Sequence, residues 1–136
     1  MEKQYINPPG MPVLPGFSQV VTAEGGKAVF ISGQVALDEK GDLVGKGDLQ
    51  AQTQQVFKNI GTALAAVGGT PDDVVKTNMY VVNYTPDALP GIRDVRNQFF
   101  APDKLPASTL IGVQALAFEG LLIEIEAIAV VKADGA

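Results

Sequence analysis

Residues 121–131, LLIEIEAIAVV, put alternate side chains on opposite sides of an extended chain, the period-two pattern of a β-strand. Glu124, Glu126, Ile128 and Val130 fall on one face, which therefore changes from charged to apolar along its length. A face of that kind leads from a polar cleft into a buried interface. On such a strand the Cα atoms of Glu124 and Glu126 stand roughly 6.6 Å apart. Two carboxylates that close repel one another, which suits one of them to act as a base toward water. The same pattern also fits a solvated strand end with each glutamate paired to a lysine or arginine.

Upstream, the chain reads as alternating strands and helices. Ser108 to Leu116 predicts another strand, joined to the last one around Glu119-Gly120. Val74 to Tyr84 (VVKTNMYVVNY) is rich in β-branched and aromatic residues, and Lys27 to Leu37 (KAVFISGQVAL) reads the same way. Asp48 is a good N-cap for a helix to about Val67, with Leu49, Val56, Phe57, Ile60, Leu64 and Val67 at helical spacing and Gly68-Gly69 as its stop. A second helix is expected between Asp87 and Phe100, with Pro90 in its first turn. A short strand over Phe17 to Ala23 would turn at Gly25-Gly26 as a hairpin. Residues 1–16, which contain NPPGMPVLPG, read as an extended, irregular arm. The whole of 1–136 is expected to form one domain. The resulting order, β-β-α-β-α-β-β, is α+β with helices packed on a mixed sheet.

Two helices cover one face of such a sheet, yet several strands are apolar on both. In 27–37 one face carries Val29, Ile31 and Val35 and the other Ala28 and Phe30. In 74–84 one face has Val75, Met79 and Val81 and the other Val74, Tyr80 and Val82. Left in water, the second face would exceed the few hundred Å² of apolar patch usual on a monomer. Another subunit is the simplest cover.

Composition narrows the chemistry. The chain has no His and no Cys, so it lacks a Ser/His or Cys/His dyad, a thiolate and the usual zinc ligands. Proton transfer is left to carboxylates, Lys, Tyr, hydroxyls or water. Ten Lys and Arg against fifteen Asp and Glu give a net charge of −5, which argues against binding nucleic acid. No apolar run approaches the roughly 20 residues of a membrane span, and MEKQYINPPG has no signal-peptide core. A cytoplasmic protein is expected. In Ser32-Gly33-Gln34, a glycine inside a strand marks a bulge or a close backbone approach. It would offer a hydroxyl and a backbone N–H to a ligand oxygen, or simply pack under a helix.

The ordered set GFSQ (16–19), FISGQVALD (30–38), AQTQQVFKNI (51–60), VVKTNMYV (74–81), Phe99-Phe100, PAST (106–109) and IEIEAIAV (123–130) resembles the Rid (YjgF) family of reactive-intermediate deaminases, from about Asn7 to Val131. The resemblance implies a chorismate-mutase-like α+β fold, a mixed six-stranded sheet with two helices on one face, and a homotrimer with clefts between subunits. In deaminating members an arginine holds the carboxylate of an imino or enamino acid, and a glutamate and a strand carbonyl orient the attacking water. No cofactor or metal is needed. Carried over, the glutamate falls on Glu124, the carbonyl on Leu110, the SGQ serine on Ser32 beside Gly33, and the cleft aromatic on Phe17, where deaminases usually have tyrosine. The arginine position holds Ser108, followed by Thr109 in the same motif. A serine supplies neither the charge nor the fork of a guanidinium. Arg93 or Arg96, on the second helix, would reach the cleft from another part of the backbone. Arg93 is the candidate, against the alternative of a solvated arginine paired with an acid.

The expected function is hydrolytic deamination of a small imine or enamine, an imino acid or an amino-dienoate, with Glu124 handling water. The alternative is a non-catalytic trimer that binds a small carboxylate or acts like a chaperone. Ribonuclease activity, attached to relatives, fits the acidic chain least.

Overall fold

The computed structural model describes residues 1–134. The strand read from 121–131 forms as β6 (Ile123–Val131) and lies inside the sheet. It runs antiparallel to β3 (Lys27–Gln34) on one side and to β4 (Val74–Val82) on the other. β5 (Ala107–Val113) lies parallel to β4 at the edge, so the order is β3-β6-β4-β5. A parallel pair needs a crossover. Helix α2 (Leu89–Phe99) supplies it, with Pro90 in its first turn. β5 and β6 follow one another in sequence, yet β4 separates them in space.

The arm is more regular than its prolines suggest. Residues Glu2–Ile6, ahead of the first proline, form β1 and pair antiparallel with β2 (Val20–Glu24). The six strands thus divide into a four-stranded mixed sheet and this two-stranded ribbon. Lys3 anchors the ribbon to Asp73 at 3.3 Å, and Ser18 makes a parallel bridge to Ala107 at the β5 edge. Gly25 and Gly26 do form a turn with φ of +70° and +78°, but not a hairpin. β2 pairs with β1 and β3 with β6, so the turn passes the chain from ribbon to sheet.

Helix α1 (Leu49–Ala65) starts where Asp48 accepts a hydrogen bond from the Ala51 N–H at 3.0 Å. Its Val56, Phe57, Ile60 and Leu64 pack with Ile92 and Val95 of α2 onto Ile123, Ile125, Ala127 and Ala129. Phe57 packs at a tilt against Phe99 and edge-to-face against Phe100, at centroid distances of 4.9 and 5.8 Å. Within this apolar layer Gln52 is fully buried. Its Nε2 donates to the carbonyls of Gly45 and Gly120, and its Oε1 accepts from the Leu122 N–H at 2.8 Å. One side chain therefore sets the point at which β6 begins.

In β4 the alternation breaks at a register shift between Val74 and Lys76. Val74 is buried in the core with Met79 and Val81, whereas strict alternation would have put Val75 there. A bulge inserts one residue and reverses the parity of what precedes it. The helices occupy one side of the sheet. The other side carries Phe30, 77 % exposed, with Ile111, Ile128, Val130 and Tyr80.

Candidate functional site

The side of the sheet without helices gathers polar groups around β6. Register sets Tyr80 opposite Glu124, Asn78 opposite Glu126 and Lys76 opposite Ile128. The hydrogen bonds from β4 go to Glu126 and not to Glu124. The Tyr80 hydroxyl donates to Glu126 Oε1 at 2.5 Å, and Asn78 Nδ2 donates to the same oxygen at 3.2 Å. Accepting that bond, Glu126 raises the Tyr80 phenol above its ordinary value of 10, with burial and the charges of Glu126 and Glu124 acting the same way. Lys76 Nζ donates to Thr109 Oγ1 at 2.9 Å. A depression of about 300 Å³ here is lined by Phe30, Lys76, Asn78, Glu126 and Ile128.

Glu124 is placed differently. Its carboxylate lies over Gly33, where an added Cβ would collide with Oε2. Gly33 sits in a register shift of β3 between Ile31 and Gln34, so Ser32-Gly33-Gln34 is a bulge and also a close approach. Ser32 is exposed, and its carbonyl accepts from Gln34 Nε2 at 3.0 Å. Gly33 also opens onto a broad groove of about 860 Å³ between β3 and α1, edged by Asp38, Lys40, Lys58 and Asn59.

The remaining predicted residues lie elsewhere. β5 registers Ser108 on Thr77, Thr109 on Asn78 and Leu110 on Met79. Thr109 therefore shares the helix-free side with Glu124, while Ser108 and Leu110 point their side chains toward the helices. The Thr77 hydroxyl donates to Ser108 Oγ at 3.0 Å, and Leu110 packs against the core. Phe17 is half-buried, in the arm just before β2. Its neighbour Ser18 donates from its N–H to the Pro106 carbonyl at 3.1 Å and from Oγ to the Leu105 carbonyl at 2.7 Å. These bonds hold the arm against the start of β5. One subunit thus puts Glu124, Ser32, Gly33 and Thr109 on one side of the sheet, and Ser108 and Arg93 on the other.

Arg93 and Arg96 lie three residues apart on α2, a spacing that makes them neighbours on a helix. Arg93 is half-buried, with Nε enclosed and without a hydrogen-bond partner among the described residues. Arg96 is 5 % exposed, and both its Nε and Nη2 are enclosed and unpartnered. Burial, and after it the Arg93 charge, lower the pKa of Arg96. Gly16 lies directly on Arg96, where an added Cβ would overlap Nη2, and it adopts φ of +93°. Sequence reasoning favoured Arg93 over Arg96. Helical periodicity alone would have flagged the difference, since Arg96 shares a face with Ile92 and Phe99. The Tyr80–Glu126 bond was missed because Tyr80 read as an apolar face residue.

Among the described residues no group of three or more acidic side chains is arranged to hold a metal ion. No helix among them is long and apolar enough to cross a membrane.

The family model described as endoribonuclease L-PSP matches residues 11–131. A 2-iminobutanoate/2-iminopropanoate deaminase of Dermatophagoides farinae is 32 % identical over 131 residues, covering 96 % of this chain and 98 % of that one. The 3-aminoacrylate deaminase RutC of Acinetobacter baylyi is 33 % identical over 129 residues, covering 95 % and 98 %. The crystal structure of YyfB from Yersinia pestis, of the conserved Rid protein family and described as of unknown function, superposes with a TM-score of 0.91. It is 46 % identical and covers 96 % of this chain and 100 % of its own.

Proposed function

Since this chain belongs to the Rid (YjgF) family, we propose that it hydrolyses a small carboxylate-bearing imine or enamine in clefts between the subunits of a homotrimer. The observation that carries this reading is the unequal treatment of two neighbouring glutamates. Glu126 is engaged by Tyr80 and Asn78, whereas the Glu124 carboxylate lies against Gly33 and accepts no side-chain hydrogen bond among the described residues. Glu124 and the Leu110 carbonyl orient a water against the imine carbon. The water oxygen bonds to that carbon, the C=N π pair moves to nitrogen, and a water proton passes through Glu124 to the amine. The carbinolamine then collapses to the oxo compound and ammonia. Arg93 meets the substrate carboxylate, with Ser32, Gly33, Ser108, Thr109 and Phe17 lining the cleft.

Arg93 and Glu124 lie on opposite sides of one sheet, so a cleft containing both draws on two subunits. The apolar side with Phe30, Ile111, Ile128 and Val130 supports the same assembly, because a second copy would cover it. The chain's net charge of −5 argues against a nucleic-acid partner.

The test is ammonia release from freshly generated imino acids, with and without the protein. Mixed trimers of E124Q and R93M subunits should recover activity that each variant alone lacks. No rate enhancement on any imine or enamine tried would overturn the reading. Ser108, in place of the family's strand arginine, favours a second reading, a trimer that binds a small carboxylate without turning it over. Saturable binding with no acceleration would select it.

A further inference from the structure

We infer that Arg96, assisted by Arg93, is an anion site built for a carboxylate held side-on, and that it takes over the work of the arginine missing at Ser108. This deepens the deaminase reading by naming the group that anchors the substrate, and rests on it for the identity of the ligand. The argument starts from which atoms are unpartnered. Nε and Nη2 form one edge of the guanidinium, with two parallel N–H bonds. That edge matches the two oxygens of a carboxylate or of a phosphate. On Arg96 both are enclosed, in a side chain 5 % exposed, with no acceptor among the described residues. Buried charged donors are ordinarily paired, because leaving one unpaired carries a large desolvation cost. The three ion pairs among the described residues all use lysine, so no acid of the chain answers this one.

A second guanidinium compounds the cost. Arg93, one turn away, also has an enclosed, unpartnered Nε, and its charge disfavours that of Arg96. Two like charges held together in a poorly solvated place are stabilised by an anion between them. The surroundings are shaped for the guanidinium. Gly16, in a conformation that L side chains rarely adopt, brings the arm onto Nη2 with no room for a Cβ. Ser18 then fastens the arm to Leu105, Pro106 and Ala107, immediately before Ser108. The arm segment that covers the guanidinium is thereby fastened to the residues that lead into Ser108.

The experiment is titration of the whole protein with 2-oxobutanoate, inorganic phosphate and the uncharged 2-oxobutanamide, followed by calorimetry and by the arginine Nε–H resonances. The acid should bind, the amide should not, and the Arg96 resonance should move on addition of the acid. R96M should weaken acid binding roughly ten- to a hundredfold, the range of one or two charge-assisted bonds. Its melting temperature without ligand should match or exceed that of the wild type, since an uncompensated charge is gone. R96K, which keeps charge but loses the fork, should bind between the two. Equal affinity for acid and amide, an unmoved Arg96 resonance in the wild type, or undiminished binding by R96M would each overturn the inference. If R96M does not fold, the resonance and R96K decide it. The parent reading fails separately. Acid binding lost in R96M but kept in E124Q, with no turnover by the wild type, leaves the anion site standing and removes the deaminase. Turnover with kcat and KM unchanged in R96M does the reverse.

Discussion

Tyr80 faces Glu124 across the β4–β6 ladder but gives its phenolic hydrogen diagonally to Glu126, at 2.5 Å. Diagonal neighbours on one sheet face are within reach of a long aromatic side chain. The consequence is a division of roles between two carboxylates two residues apart. Glu126 is an acceptor within the sheet, and Glu124 accepts no side-chain hydrogen bond among the described residues, which is what the proposed role toward water requires.

Glu124→Gln keeps shape and most hydrogen bonding while removing the base. Hydrolysis should fall by about 10²–10⁴-fold with little change in ligand affinity. Glu126→Gln should cost much less rate. Side-by-side kinetics on one substrate check this, and a full rate in Glu124→Gln would refute the assignment.

The phenol of Tyr80 offers a pH test. Its folded value lies above the unfolded one, so the favourable contribution is complete below about pH 10 and fades as the pH climbs through the folded value. Glu126→Gln removes the first cause of that elevation. Ultraviolet titration should show one tyrosine ionising at lower pH in the variant than in the wild type. Identical titration curves would mean that the bond to Glu126 does not hold in solution.

Gln52→Ala strands the Leu122 N–H and the Gly45 and Gly120 carbonyls beneath α1. At about 1–3 kcal/mol for each buried group left unmade, with partial relaxation, the loss should be about 2–4 kcal/mol. Urea unfolding measures it. A loss below half a kcal/mol would show that water replaces the amide.

Phe30→Asp and Val130→Asp both place a charge on the side of the sheet away from the helices. If that side is the proposed subunit interface, both should split the assembly or make it aggregate, because an unpaired buried charge is very costly. Phe30→Asp should leave the single chain folded, since Phe30 is 77 % exposed within it. Light scattering of the wild type should give three times the 14.2 kDa of one chain. A monomeric wild type would end the interface reading.

Ser108→Arg should raise turnover of imino acids by restoring a guanidinium on β5. Its side chain would enter near Thr77 on the helix side of the sheet, the side on which α2 carries Arg96. The combination with Arg96→Met should therefore exceed Ser108→Arg alone, since it avoids crowding like charges. Steady-state kinetics on folded variants of equal mass decide between additive and non-additive outcomes.

The sequence by itself determined what depends on neighbours a few residues apart. The alternation of 121–131, the cap at Asp48, the apolar stripe of α1 and the proline in the first turn of α2 are all short-range patterns, and each appears where its period put it. The surplus of apolar strand faces was legible for the same reason. Only the tertiary structure decided which strands meet. Gly25-Gly26 looks like a hairpin turn, but β6 offers β3 a longer apolar partner than β2 does, and β2 closes on β1 instead. The bulge before Lys76 reversed a face assignment, because one inserted residue is invisible to a period-two reading. The site depended on this level most. Arg96 is covered by Gly16, far from it in sequence, and enclosure by a distant segment leaves no trace in local spacing.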